Sequence, residues 1–324
     1  MRFRKKTLLW GLAIASLLIF GVLFLRFVSQ NENELRTLRI IQPYCLVILF
    51  IALTTAVYVR AGYLRHITLY EGKVLGRLEA ISLVCSSNLL SIIFIPFASC
   101  GFNVTYLIMR QGVSAAFVGF AMIAFISFQL TFSLAAILIG MYAEGDLDFL
   151  SPTQLQILVV FLLILLIVFL VCFLWQRIHS AESLEGIAKV PHAKETLLVS
   201  ALLTAMLCFS SQALAFIAAC ASLGLDLNLL EGATLSSSQH VATMLSLTPA
   251  GIGFQEAVTM YVGNLIEKNF ILVFGALLLI RVSIYVVSII VLLVNLTIRN
   301  LNTKFVNAPR MFNLINRAIS SLKI

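Results

Sequence analysis

The chain has 324 residues, 61% of them hydrophobic and 11% charged, with a mean hydropathy of +1.05. That balance leaves too little polar surface to cover a soluble core, so the sequence describes an all-α, polytopic integral membrane protein. The formal charge of +8 does not point to nucleic acid, because the basic residues sit in short loops between apolar spans, where they set orientation across a bilayer.

Arg2, Arg4, Lys5 and Lys6 precede the first apolar run, Thr7–Leu25. This run is longer than a signal-peptide core, and no convincing small-x-small cleavage site follows, so it is expected to be an uncleaved first span. Further full spans are expected at Ile41–Val59, Ala115–Met141, Leu155–Trp175, Thr196–Leu223 and Phe270–Leu296. Each is long enough to cross about 30 Å of hydrocarbon at about 1.5 Å per residue. No soluble domain is left over, and 1–324 reads as one transmembrane domain ending in an amphipathic basic tail, 299–324, on the membrane surface. Cys45, Cys85, Cys100, Cys172, Cys208 and Cys220 lie in apolar runs without a C-x-x-C pair and read as small buried hydrophobes, neither a disulfide framework nor a metal site.

The basic N-terminus, loop 60–79 (Arg60, Arg65, Lys73, Arg77), loop 176–195 (Arg177, Lys189, Lys194) and the tail are assigned to the cytoplasmic side. The acidic stretches Glu144 to Asp148 and Asp226 to Glu231 fit the outer side. With these sides fixed, 80–114 must leave and return to the cytoplasmic face, and 232–269 must leave and return to the outer face. Each is then a re-entrant or broken-helix hairpin. The expectation is six full spans plus two such hairpins, about eight crossings, with both termini inside.

The two segments resemble each other. One reads Ser86-Ser87-Asn88, Pro96, Gly101-Phe102, Tyr106; the other reads Ser237-Ser238-Gln239, Pro249, Gly253-Phe254, Tyr261. Entering from opposite faces, they form an inverted pair, and paired broken segments point to a midplane binding site. The alternative is chance similarity between apolar stretches. Pro249, Gly251 and Gly253 stop a helix in the second segment, as Pro96 and Gly101 do in the first.

Polar groups in these segments are the candidate substrate-binding residues. Glu256 follows the Pro/Gly break, and an intramembrane carboxylate serves as a proton site, a cation ligand or one half of a structural ion pair. Arg281 falls about 16 Å into the last span at about 1.5 Å per residue, where a guanidinium must face water, a partner or an anion. It either neutralises Glu256, meets a ligand phosphate or carboxylate, or does both. Ser238, Gln239 and His240 on the entering arm, and Gln255 beside Glu256, complete the second hairpin's set. Asn88, Asn103, Tyr106 and Arg110 are the equivalents in the first, with Arg110 near the cytoplasmic headgroups. Gln129 is expected to be a helix–helix hydrogen-bonding residue. No G-x-S-x-G, H-E-x-x-H or Walker A motif is present, so neither a catalytic site, a metal, a cofactor nor ATP-driven pumping is expected of this chain.

Pro249-Ala250-Gly251-Ile252-Gly253-Phe254-Gln255-Glu256, followed by Arg281, resembles the lysylphosphatidylglycerol synthase transmembrane (flippase-like) family. Asn88, Pro96, Gly101, Arg110, Gly112, Val113 and Ser114 follow the order of that family's N-terminal motif, except that Phe102 stands where the family has Glu and no Arg follows Pro96. The resemblance covers nearly the whole chain and implies a stand-alone member without the aminoacyl-transfer domain, in a bacterial inner membrane. It implies a lipid-handling protein that moves an aminoacyl-phospholipid or a polyprenyl-linked sugar between leaflets. A transporter of a small anionic or amphiphilic solute, and a non-catalytic subunit partnering a glycosyltransferase or lipid-modifying enzyme, remain the alternatives.

Overall fold

The computed structural model describes residues 40–91, 96–143, 193–246 and 251–321; the expected spans Thr7–Leu25 and Leu155–Trp175, the acidic stretch Glu144 to Asp148, Cys172, Pro249 and the expected 176–195 loop up to residue 192 lie outside them. Among the described residues there are eight helices and no strand. They are α1 (Tyr44–Tyr70), α2 (Arg77–Leu90), α3 (Pro96–Gln111), α4 (Ala115–Ala143), α5 (Ala193–Ser222), α6 (Leu229–Leu245), α7 (Phe254–Leu265) and α8 (Phe270–Ser321).

Four of these, α1, α4, α5 and the first part of α8 to Ile298, are long and apolar enough to cross a membrane. Their outward faces carry exposed Val47, Ile51, Ile123, Val199, Leu203, Ile289 and Leu293, as lipid contact requires. Lipid tails are as apolar as leucine, so helices in a bilayer associate through close packing rather than through burial from water. Accordingly, α1 and α5 meet through small buried residues: Ala52, Ala56 and Ala61 on one, and Ala201, Ala205, Cys208, Ala215 and Ala219 on the other. The α5 set, spaced by four, three, seven and four residues, lies on one helical face.

Loop 60–79 is corrected by the structure. Helix α1 continues unbroken to Tyr70, and the connection to α2 is only residues 71–76, turned at Gly72 with φ of +68°. Arg60 and Arg65 are therefore helical residues rather than loop charges. The reason is visible in burial: Val57, Ala61, Leu64 and Thr68 carry the buried face straight past the first arginine. Arg65 donates from Nε to the Leu75 carbonyl at 3.1 Å, holding the short turn.

Both predicted hairpins contain a break. In the first, α2 ends at Leu90 and α3 begins at Pro96, where a proline occupies the first helical position without forfeiting a hydrogen bond. Gly101 lies inside α3 and interrupts nothing, since a single helical glycine costs only about 1 kcal/mol. In the second, α6 ends at Leu245 and α7 begins at Phe254. The four arms have 14, 16, 17 and 12 residues, so none alone covers about 30 Å at about 1.5 Å per residue. At the far end, α8 continues as helix through the expected tail to Ser321.

The apolar interior is divided in two. One core joins the later part of α1 to α2, α3, α4 and the start of α5; the other joins the start of α1 to the end of α5, α6, α7 and α8. Helices α1 and α5 run through both. The short arms are wedged between them, with α2 against α1 and α8, and α6 against α4, α5 and α7.

Candidate functional site

A cavity of about 280 Å³ lies between the two cores. Its apolar wall comes from both, with Tyr63, Val84 and Phe125 from one and Leu53, Ala215 and Ile280 from the other. Into this largely apolar wall each of the eight helices sets a polar side chain: Arg60, Asn88, Asn103, Gln129, Gln212, His240, Gln255 and Arg281 all line it. Among the described residues the lining holds two guanidinium groups and no carboxylate.

The second break builds one end of this site. Gly251 and Gly253 have φ of +69° and +85°, the left-handed region where a side chain is strained and glycine is not. The second of these turns leaves the Gly253 N–H at the start of α7 without a helical acceptor. Glu256, three residues on, supplies one: the N–H donates to Oε2 at 2.7 Å. The other oxygen, Oε1, lies 2.8 Å from Arg281 Nη2 on α8. Gln255 adds a second contact, accepting from the same Nη2 at 3.1 Å. Glu256 is thus behind the cavity wall and 5% exposed, whereas Arg281 and Gln255 are on it. One carboxylate both caps a helix and compensates a charge deep in an apolar span.

The other predicted residues divide cleanly. Asn88, Gln239 and His240 line the cavity with Arg281 and Gln255. Asn88 donates from Nδ2 to Ser288 Oγ at 3.3 Å, which ties α2 to α8. Ser238 does not face the cavity; its hydroxyl donates to the Leu235 carbonyl at 2.7 Å within α6. Tyr106 donates instead to the Glu79 carboxylate, which also accepts from Gln111 Nε2 at 3.0 Å, and this cluster is apart from the cavity. Arg110 is exposed.

Two residues given other roles by the sequence reading belong here. Gln129, expected to bond between helices, is 2% exposed and its Nε2 has no partner. Arg60, taken for a loop charge, lines the cavity from beyond the middle of α1. Gln212 was not singled out at all, although its place on the small-residue stripe of α5 marks it as inward-facing.

No curated protein and no solved structure matched the chain. A family model described as the lysylphosphatidylglycerol synthase TM region matches residues 8–294. The match includes both breaks, the Glu256–Arg281 pair and every residue of the cavity, and the chain therefore belongs to the lysylphosphatidylglycerol synthase TM family.

Proposed function

We propose that this chain moves an anionic or glycosylated lipid between the leaflets of a bacterial inner membrane, and that it does not itself make the lipid. The observation that carries this reading is a cavity that holds two arginines and several amides in an otherwise apolar wall, enclosed by helices whose outer faces are apolar. Family membership supports a membrane lipid-related role. In this reading the two helix pairs dip into the bilayer from opposite faces, and their breaks meet near the midplane. The headgroup enters the cavity and its phosphate meets Arg281, which Glu256 and Gln255 hold in place. The acyl chains stay in hydrocarbon. At about 280 Å³ the cavity is of a size to take a polar headgroup.

The test is leaflet exchange of a fluorescent phosphatidylglycerol in proteoliposomes. Arg281→Ala is expected to abolish exchange while the protein still runs as a folded particle in detergent. Unchanged exchange removes Arg281 from the mechanism. The cavity's size also favours a second reading, secondary transport of a small anionic solute, and uptake by the same vesicles separates the two. A subunit that positions a glycosyltransferase would support neither activity alone.

A further inference from the structure

The two guanidinium groups of the cavity are in opposite electrostatic states. Arg281 is met by a carboxylate and an amide oxygen. Arg60 has no carboxylate partner among the described residues, and its Nε is a buried donor with no acceptor. The Cys208 thiol, a weak acceptor, lies within hydrogen-bonding reach of its guanidinium, and the neutral Cys100 thiol is close by. An arginine inside an apolar span that lacks a counter-charge is costly to keep there.

The polar atoms around the same cavity are unsatisfied too. Gln129 Nε2 on α4, Asn103 Oδ1 on α3 and His240 Nε2 on α6 are buried without partners, and each residue is no more than 9% exposed. His240 is near enough to Arg60 to feel its charge. The Asn103 amide donates from Nδ2 to Ser87 Oγ at 3.2 Å, which leaves its carbonyl oxygen as the atom still to be paired. Leaving one buried polar atom unpaired costs about 1–3 kcal/mol. All four atoms belong to residues that line one cavity, so a polar occupant able to pair with them would be stabilised there.

The unsatisfied set specifies the occupant's chemistry. Arg60 Nε and Gln129 Nε2 are donors and call for an oxyanion. Asn103 Oδ1 is an acceptor and calls for a hydroxyl close by. We infer that Arg60 is a second anion-binding residue of the cavity, holding a phosphate oxyanion together with the Arg281 that Glu256 keeps in place, while a neighbouring hydroxyl of the occupant donates to Asn103. The inference deepens the lipid-handling reading and rests on it for the source of the phosphate, which is a lipid headgroup in that reading and free phosphate otherwise.

The experiment uses the full chain in an uncharged detergent, with calorimetric titration of dihexanoyl phosphatidylglycerol and of dihexanoylglycerol, the same lipid without its phosphoglycerol headgroup. The phosphorylated lipid is expected to bind more tightly. Arg60→Gln should weaken its binding about tenfold or more, the loss of one charge-assisted hydrogen bond, while Arg60→Lys keeps most of it. Modification of Arg60 by phenylglyoxal, mapped by mass spectrometry on the wild-type chain, gives a readout that does not depend on a variant folding; the phosphorylated lipid should protect it. If glycerol 3-phosphate or inorganic phosphate protects Arg60 equally and the lipid adds nothing, the anion site stands and the lipid reading falls. If Arg60→Gln binds as the wild type does, or no phosphate compound slows labelling, the inference is overturned, and leaflet exchange then judges the lipid reading separately.

Discussion

Removing the Glu256 carboxylate should unbalance the protein more than any other single change at the cavity wall. The side chains of Arg281 and Glu256 are only 15% and 7% exposed, so Glu256→Ala strands a guanidinium where water cannot replace the lost charge. Breaking a buried pair from one side costs about 3–5 kcal/mol. The same change leaves the Gly253 N–H without its acceptor, a loss that overlaps with the first because one carboxylate serves both. Glu256→Gln keeps an oxygen for Gly253 but not the charge, and should fall between the wild type and Glu256→Ala. The double variant Glu256→Gln, Arg281→Met removes both charges and should regain about 1 kcal/mol or more over Glu256→Gln alone. Buried cysteines provide the assay. Cys85, Cys208 and Cys220 are 0% exposed, so a thiol-reactive dye reports their release as the protein unfolds on heating. Glu256→Ala should lower the apparent Tm by on the order of 10 °C. A Tm within about 2 °C of wild type, or a double variant no more stable than Glu256→Gln, would refute the claim that the pair compensates a buried charge.

Two further predictions test the frame that holds the cavity. Gly140 on α4 lets α6 approach so closely that a Cβ there would run into Thr234 Oγ1, whose hydroxyl also lies 3.2 Å from the Ala136 carbonyl. Gly140→Ala should cost about 1–3 kcal/mol by overpacking, and Thr234→Ala in the same chain should restore much of it, both read as Tm shifts. At the start of α6, Asn228 Oδ1 accepts from the Glu231 N–H at 2.9 Å and Glu231 Oε2 accepts from the Asn228 N–H at 3.0 Å. Asn228→Ala should cost about 1 kcal/mol and speed hydrogen exchange in the first turn of α6, and Asn228→Asp should largely preserve protection.

The sequence was most legible where hydropathy and backbone chemistry agree. The spans at 115, 196 and 270 begin within a few residues of their helices, and the proline at 96 and the glycines at 251 and 253 mark the breaks. The ion pair of Glu256 with Arg281 was one of the roles open to these residues, since two opposite charges near one depth of an apolar region have few other partners. The end of α1 was misread because charge was weighed before periodicity. A run of apolar residues stops at Val59, yet positions 57, 61, 64 and 68 continue the buried stripe, and that signal outranks a single arginine. Ser238, Tyr106 and Arg110 illustrate the opposite limit. Their types suit a polar site, but which side of a short helix faces inward depends on packing partners that lie far away in the chain.

The Gly253 turn and the Arg281 charge are a single structural problem with a single solution. A left-handed glycine at the start of α7 exposes an N–H, and a guanidinium on α8 needs an anion; a carboxylate three residues into the helix reaches both. The backbone break therefore does more than open a gap between two helix arms. It fixes the angle at which α7 meets α8, and with it the position of the cavity wall that carries Gln255 and Arg281. Arg60 enters from the other core and has no such compensation among the described residues, where the cavity holds one neutralised cation and one that is not. An occupant that binds by charge must then be drawn toward the Arg60 side, and moving it away requires the protein either to rehydrate that guanidinium or to bring it a new partner.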